Sequence, residues 1–216
     1  MHIVLHISPT LVHQHEHSEW FTEGLKRHGL NLDITTDPHK EGDVHIVSGP
    51  HYAKRYWLDH PKTLLIDRAY HPNKQIKSGQ WVSEDYVSVG WMNKDGGRDF
   101  RKTESRGSYS IQHQAGDKGT IFLKDYGGPE AMADTVRLHP AEKQYPESLE
   151  DALKRHKTAI GFRTTALVKA GLMGLDIVCL DKQNIMAQPD WLELLPSADW
   201  HYSEIQSGEA WEFLCQ

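Results

Sequence analysis

The stretch Gly161-Phe162-Arg163-Thr164-Thr165 combines residue types that bind anions. Gly161 permits close backbone approach to a ligand, Thr164 and Thr165 supply hydroxyl donors, and the guanidinium of Arg163 can form two parallel hydrogen bonds with a phosphate. A diphosphate is the ligand that this set fits. The alternative is that Thr164 is only a helix N-cap and Arg163 only a surface charge, since threonine is common at that position.

The elements around this stretch form a predicted strand–helix–strand unit. Residues 158–160 are a short apolar or β-branched run, residues 166–173 are rich in helix formers before Gly174, and residues 175–180 are mostly apolar. A continuous apolar run is typical of a buried strand in a parallel sheet. In such a unit, the unpaired N–H groups of the first helical turn point past the end of the strand, which favours an anion there.

Alternating histidines occur in His13-Gln14-His15-Glu16-His17, after the first predicted strand. Such spacing could hold a metal on one face of a strand, but this segment follows a proline and the chain has 15 histidines, so we predict no metal site. A loop after a first parallel strand faces the ligand site, and Glu16 and His17 are the candidate bases for an acceptor hydroxyl. The alternative is a solvated loop that leads to Ser18 as a helix N-cap.

A third candidate catalytic residue is Asp67, which follows the apolar strand of residues 64–66. An acidic side chain at the carboxyl end of a strand is well placed for a site in an α/β sheet. The neighbouring Arg68 leaves a second interpretation open, in which the two residues form an ion pair that stabilises the fold.

Residues 94–106 are a mildly basic, glycine-containing stretch. Arg98, Arg101 and Lys102 are the residues that would contact a phosphate backbone there, although such stretches are more often solvated linkers. The formal net charge of −6 argues against nucleic-acid binding through bulk electrostatics and leaves only a local basic surface.

Composition is that of an ordered globular protein, with 38% hydrophobic and 25% charged residues among 216. No apolar run approaches the roughly 18 residues of a membrane span, and no signal-like leader precedes the first strand, so we predict a cytoplasmic protein without a membrane partner. Two cysteines, Cys179 and Cys215, do not suggest a disulfide framework. The oligomeric state is not predicted.

Alternation of strand and helix patterns divides the chain into two α/β halves. The predicted strands of the first half are residues 2–7, 30–35, 44–47, 63–66 and 87–91, and its helices are 18–29 and 52–59. The second half begins with strands 120–123 and 135–138 and helices 130–133 and 147–156. We therefore predict an N-terminal lobe at 1–92, an interlobe loop at 93–118, a second lobe at 119–199, and an aromatic tail at 200–216 that packs on the first lobe.

Two motifs resemble those of small GT-B type glycosyltransferases. Arg137-Leu138-His139-Pro140 is similar to the His-Pro motif of bacterial sialyl- and capsule-type enzymes, and Gly161–Thr165 with the following helix and strand is similar to their Ser/Thr motif. The resemblance implies an α/β fold with two Rossmann-like lobes facing across a cleft. It also implies that Arg137, His139 and the hydroxyl pair contact the phosphate and nucleotide of a nucleotide-sugar.

The function implied is sugar transfer from a nucleotide-sugar to an acceptor hydroxyl, with no cofactor and no metal. A fainter likeness to phage-encoded proteins of this architecture, at Asp67-Arg68-Ala69-Tyr70 and Ser207-Gly208-Glu209-Ala210-Trp211-Glu212, suggests a hydroxymethylated base in phage DNA as the acceptor and the host cytoplasm as the location. The alternative is a protein that binds a nucleotide or nucleotide-sugar without catalysis.

Overall fold

The computed structural model describes residues 1–48, 57, 60, 62–70, 74–75, 81–82, 86–92, 98–100, 108–125, 131–140 and 142–215. The chain divides into two compact units. Unit 1 consists of residues 1–102 and 197–216, and unit 2 consists of residues 103–196. The C-terminal segment therefore belongs to the same unit as the N-terminus.

The described elements include both strands and helices, and nine of the described strands, β2 to β10, come between α1 and α2. The strands are β1 Ile3–His6, β2 Leu32–Thr35, β3 Val44–Ser48, β4 Thr63–Arg68, β5 Lys74–Gln75, β6 Trp81–Val82, β7 Tyr86–Met92, β8 Arg98–Asp99, β9 Lys118–Leu123, β10 Thr135–Arg137, β11 His156–Gly161, β12 Asp176–Cys179 and β13 Asp199–His201. The helices are α1 Val12–Arg27, α2 Leu149–Leu153, α3 Ala166–Leu172, a 3-10 helix at Ile185–Ala187, α4 Trp191–Ala198, α5 Tyr202–Gln206 and α6 Glu209–Cys215.

The main sheet of unit 1 is mixed. Its strands follow the order β2-β1-β3-β4-β7, and β13 and β8 both pair with the far edge of β7. Strands β1 to β4 are parallel, whereas β7 runs antiparallel to β4. Strand β7 therefore makes this sheet mixed, and its antiparallel pairing with β4 does not need the crossover connection that joins parallel strands.

The hydrophobic core of unit 1 lies between one face of this sheet, α1 and the C-terminal segment. Trp91 Nε1 donates a hydrogen bond to the Leu214 carbonyl at 2.7 Å, and Arg27 Nε donates to the Gln206 carbonyl at 2.7 Å, so α6 and α5 are held by polar contacts as well. The core side chains include Ile3, Leu5, Phe21, Leu25, Ile46, Leu64, Ile66, Trp200, Ile205, Trp211 and Leu214.

The first helix begins six residues earlier than predicted. It starts at Val12, directly after the turn that contains Pro9, so Glu16 and His17 lie in the helix and the predicted loop does not exist. Ser18 is inside the helix, and its Oγ donates to the His15 carbonyl at 2.6 Å, so it is not the N-cap. The N-cap is Leu11, which forms no side-chain cap bond, and the sequence therefore carries no capping signal at the true start.

Unit 2 contains a four-stranded parallel sheet in the order β10-β9-β11-β12. Numbered within the unit, this is the order second-first-third-fourth. The parallel strands of unit 1 follow the same order, β2-β1-β3-β4. Both units thus share one order of parallel strands and are compatible with a Rossmann-like fold.

Several predicted elements of unit 2 differ from the structure. The strand β12 lies at the edge of the sheet with alternating exposed residues, so the prediction of a buried strand is wrong. The predicted helix at 147–156 shortens to α2, which begins after the Ser148 N-cap. Residues 131–133 are not helical, and Glu130 lies outside the described residues, as does most of the predicted helix at 52–59.

The stretch predicted as an interlobe loop contains ordered contacts at both ends. Arg98 and Asp99 form β8 against β7. At the other end, the backbone N–H groups of Gln112 and Gln114 donate to the carbonyls of Leu172 and Met173, both at 2.7 Å, and so bind carbonyls that the end of α3 leaves unpaired. Local composition did not predict the contacts of Gln112 and Gln114, because their partners in and after α3 are distant in the chain.

We predict that Trp200→Ala lowers the free energy of unfolding by about 3–5 kcal/mol, because a fully buried indole leaves a cavity in the core of unit 1. Urea denaturation measures the loss. Tyr202→Ala, at a side chain 37% exposed in the same segment, is the control and should cost much less. Equal losses at the two positions would contradict the packing described here.

Candidate functional site

The carboxyl ends of the parallel strands define the candidate site of unit 2. Strand β9 pairs with β10 on one side and with β11 on the other. The strands that follow β9 in the chain are therefore added first on one side of it and then on the other, which makes β9 the switch point of the sheet. Ligands of doubly wound sheets bind outside the carboxyl ends of the strands at such a switch point. The loops after β9 and β11 therefore form the two sides of the candidate site.

The loop after β11 presents hydrogen-bond donors that lack acceptors among the described residues. Arg163 Nε donates to Asp181 Oδ2 at 2.8 Å, while no described residue accepts a hydrogen bond from its two Nη groups. Thr164 Oγ1 accepts from the Ala166 N–H at 3.2 Å, so its own proton is still available. Thr165 Oγ1 has no hydrogen-bond partner among the described residues. This arrangement suits an anionic ligand.

Asp181 fixes the orientation of Arg163 and was not predicted as a site residue. It is buried at the end of β12, and its Oδ1 accepts from the Gln183 N–H at 3.0 Å. The Asp181 carboxylate thus holds the backbone turn at Gln183 with one oxygen and Arg163 Nε with the other. The Nη groups of Arg163 point to neither oxygen and can bind a ligand. A carboxylate immediately after a strand was the available signal, since it follows Leu180 in the predicted strand.

Gly161 has a packing role that differs from the predicted one. A Cβ atom there would lie 2.9 Å from Leu167 Cγ and 3.0 Å from the Thr164 methyl group. The glycine therefore allows α3 to approach β11 closely. No backbone approach to a ligand is needed to explain it.

The side chain of Arg137 binds the loop that follows β10. One of its Nη groups donates to the Glu147 carbonyl at 2.9 Å, and its guanidinium stacks over the Tyr145 ring at 4.4 Å. The Tyr145 hydroxyl in turn accepts from the Leu138 N–H at 3.0 Å. Half-buried His139 lies in this loop, and its carbonyl accepts from the N–H groups of Glu142 and Lys143. Arg137 thus shapes the loop that carries His139.

The loops of His139 and Thr164 are not neighbours, although the resemblance implies that both contact one nucleotide-sugar. Strand β9 lies between β10 and β11, so the two loops are separated by two strand spacings, about 9–10 Å. Lys124 and Asp125 follow β9 and occupy the intervening position. Lys124 Nζ lies 3.9 Å from Glu142 Oε1, a distance at the limit of an ion pair. These two residues were missed because strand order cannot be read from spacing along the chain.

The corresponding switch point of unit 1 lies between β1 and β3. There the buried side chain of Gln14 accepts from the Ser8 N–H at 2.6 Å and donates to the Ser48 carbonyl at 3.1 Å. A side chain of the protein therefore joins the two loops that flank this switch point. Gln14 stood within the histidine cluster of the sequence, but its burial depends on β3, which is distant in the chain.

The three predicted catalytic residues lie on two elements of unit 1. Glu16 is exposed on α1, and His17 is half-buried with its ring 5.0 Å from that of Trp20. Asp67 lies within β4, one residue before its end, and is half-buried opposite Ser88 of β7. The side chain of Arg68, the proposed ion-pair partner of Asp67, is outside the description.

Arg98 is not available to a nucleic acid. Its side chain is 1% exposed, and one Nη group donates to the Leu65 carbonyl, the Ser88 carbonyl and Ser88 Oγ at 2.8–3.2 Å. The prediction that Arg98 contacts a phosphate backbone is therefore wrong, because the side chain faces the sheet. Arg101 and Lys102 lie outside the described residues.

A cluster of aromatic rings lies on the other face of the unit 1 sheet. His45 stacks on Trp57 with ring centroids 3.6 Å apart. His60 packs against His45 in a T-shaped arrangement, with ring centroids 4.7 Å apart. His6 Nδ1 is 3.2 Å from the Asp37 carbonyl, which can only accept, so Nδ1 carries the proton. His6 Nε2 must then accept from His45 Nδ1 at 3.0 Å. His45 Nε2 is left as a buried lone pair without a hydrogen bond from any described residue.

Burial, with the rings of His6 and His60 as further causes, lowers the pKa of His45 to about 4. An ordinary histidine has a pKa of 6.5, so the unfolded chain binds a proton between pH 6.5 and 4 that the native protein excludes. His45 therefore makes the native state less stable as the pH falls through this window, by up to about 1.4 kcal/mol for each pH unit.

We predict that His45→Gln flattens the loss of stability between pH 6.5 and 4, because glutamine does not titrate. Urea denaturation at a series of pH values, compared between the variant and the wild type, measures this difference. His15→Gln, at an exposed position of α1, is the control and should keep the wild-type slope. Parallel stability curves for His45→Gln and the wild type would refute the assignment.

A groove of about 530 Å³ lies at the opposite end of unit 2 from the candidate anion site. It is lined by residues at the start of β12, the end of α3 and the segment 111–113, together with Met186 and Trp191. Because α3 runs antiparallel to the strands, its end lies near their amino ends. The groove therefore does not contain Arg163, His139 or the threonine pair.

The described ranges hold no helix with the length and apolarity that a membrane span requires. They also hold no group of three or more His, Cys, Asp or Glu side chains arranged to bind a metal ion. Comparison of the chain with protein-family models, with curated proteins and with solved structures found no match.

Proposed function

We propose that this protein is a glycosyltransferase that moves a sugar from a nucleotide-sugar to an acceptor hydroxyl. In this proposal the two units act as the two lobes of a GT-B-like enzyme that face each other across a cleft. The donor binds at the carboxyl edge of the unit 2 sheet. The acceptor binds on unit 1.

The observation that carries the proposal is the set of donors after β11 for which no described residue supplies an acceptor. Arg163 is oriented by Asp181 through Nε and offers its Nη groups, and Thr164 and Thr165 add hydroxyls beside it. A departing diphosphate gains negative charge, which such donors stabilise without a metal. The parallel strand order of unit 2 supports the same location, because the loop lies at the switch point.

The resemblance of the His-Pro motif supports a role for His139 at the same edge. Arg137 holds the loop that carries His139, and Lys124 lies between that loop and Thr164. A nucleotide-sugar that extends across the end of β9 would therefore pass His139, Lys124 and Arg163 in turn. In the proposal Glu16, His17 or Asp67 deprotonates the acceptor hydroxyl. A hydroxymethylated base in DNA is one acceptor to test, with Arg101 and Lys102 as its remaining proposed contacts.

A thermal-shift series with UDP-, CDP-, GDP-, CMP- and ADP-linked sugars tests donor binding. A ligand at one hundred times its dissociation constant stabilises the native state by about 2.7 kcal/mol. We expect stabilisation by one nucleotide class. The absence of any stabilisation would refute the proposal. Binding without hydrolysis or transfer of the sugar would favour the alternative, a nucleotide-sugar binding protein without catalysis.

We predict that Arg163→Gln weakens donor binding about 10- to 100-fold, because it removes charge-assisted hydrogen bonds to phosphate. Isothermal titration measures the change with the donor that stabilises the wild type. Arg155→Gln is a matched control, since Arg155 is also half-exposed and paired with one carboxylate, that of Glu147, but lies before β11 at the other end of the strand. Unchanged affinity in a folded Arg163→Gln protein would remove the proposed phosphate site.

A further inference from the structure

Strand β12 ends the unit 2 sheet with an open edge. The Leu180 N–H donates to the Gly161 carbonyl at 2.8 Å, so alternate residues of β12 direct their backbone toward β11. In a parallel pair, the residues between them direct both N–H and C=O away from the partner strand. The outward groups are those of Ile177 and Cys179, and no described residue pairs with them.

The side chains on one face of this edge are apolar and exposed. Val178 is 43% exposed and Leu180 is 45% exposed, with the exposed carboxylate of Asp176 before them and the exposed Lys182 after them. An open edge with exposed aliphatic residues is a template for pairing with another strand. A long charged side chain at the centre, the usual protection of such an edge, does not occur between Asp176 and Lys182.

The residues of β12 complement a second copy of themselves. We propose that two copies of this chain associate through antiparallel pairing of their β12 strands, centred on Val178. In this register, Ile177 of each copy pairs with Cys179 of the other, and each pair exchanges both backbone hydrogen bonds. The two Val178 residues form the non-hydrogen-bonded central pair, in which side chains lie closest.

Charge complementarity favours this register. Each Asp176 lies opposite Leu180 of the other copy, and the exposed Lys182 in the turn just after that Leu180 has a side chain long enough to reach back toward the carboxylate. The two Asp176 carboxylates are kept apart. The interface is isologous and closes, because it uses the same residues on both copies.

The opposite edge of the same sheet lacks this complementarity. Strand β10 has only three residues, and the Lys124 N–H donates to the Arg137 carbonyl, so Val136 is its only residue with an outward-directed backbone. Val136 is 46% exposed, nearly the same as Val178. It therefore provides a matched control on an edge that offers half the hydrogen-bonding groups.

Sedimentation velocity of the full chain over a wide concentration range tests the proposal. We expect a species of twice 24.7 kDa at high concentration. Val178→Lys places two ammonium groups at the centre of the interface and should raise the dimer dissociation constant more than about tenfold. Val136→Lys should leave it unchanged. Circular dichroism and thermal melting confirm that both variants are folded.

A charge exchange provides a second test that does not depend on Val178. Asp176→Lys and Lys182→Asp should each weaken the dimer about two- to tenfold, and the double variant should restore it. A wild-type protein that is monomeric at every concentration would overturn the proposal. A dimer that ignores Val178→Lys, that responds equally to Val136→Lys, or that the double variant does not restore would overturn it as well.

Discussion

Parallel pairing of neighbouring strands is the constraint on which this structure depends. Parallel strands must be joined by crossovers, so all their carboxyl ends lie at one edge of the sheet and the loops that follow them come together. In unit 2 this places residues from four separate loops along one edge of the sheet: Lys124, His139, Arg163 and Asp181. In unit 1 it brings Ser8 and Ser48 close enough for one glutamine to join them.

The two units use the same strand order with different results at the switch point. In unit 1 the buried amide of Gln14 satisfies the backbone groups of both flanking loops. In unit 2 the Nη groups of Arg163 and the hydroxyl of Thr165 remain without protein acceptors in the described part of the chain. Unsatisfied donors at a switch point favour an anionic ligand, because a half-buried polar group without a partner costs free energy. Because of this contrast, we place the proposed binding site for the nucleotide-sugar on unit 2.

Ion pairs in unit 2 mostly hold loops in place. Arg155 and Arg137 both contact Glu147, and the hydrogen bond from Arg155 is the main cause of the lowered pKa of that carboxyl group. Exposed pairs of this kind contribute little to the free energy of unfolding. Their effect is on geometry, because they determine which side chains remain open. Arg163 differs from Arg137 in that its carboxylate partner binds Nε alone, so the Nη groups stay accessible.

The sequence by itself determined the positions of most strands, the break between the two halves and the presence of hydrogen-bond donors after β11. These features depend on local periodicity and composition, which a single segment carries. Only the tertiary structure decided which strands are neighbours, and so separated His139 from Thr164 by β9. It also buried Arg98, made β12 an edge strand and assigned Gly161 to helix packing. The first three of these outcomes depend on which strands pair, and no local pattern encodes the pairing of segments that are distant in the chain. The packing role of Gly161 depends instead on how closely α3, the helix that follows it, approaches β11.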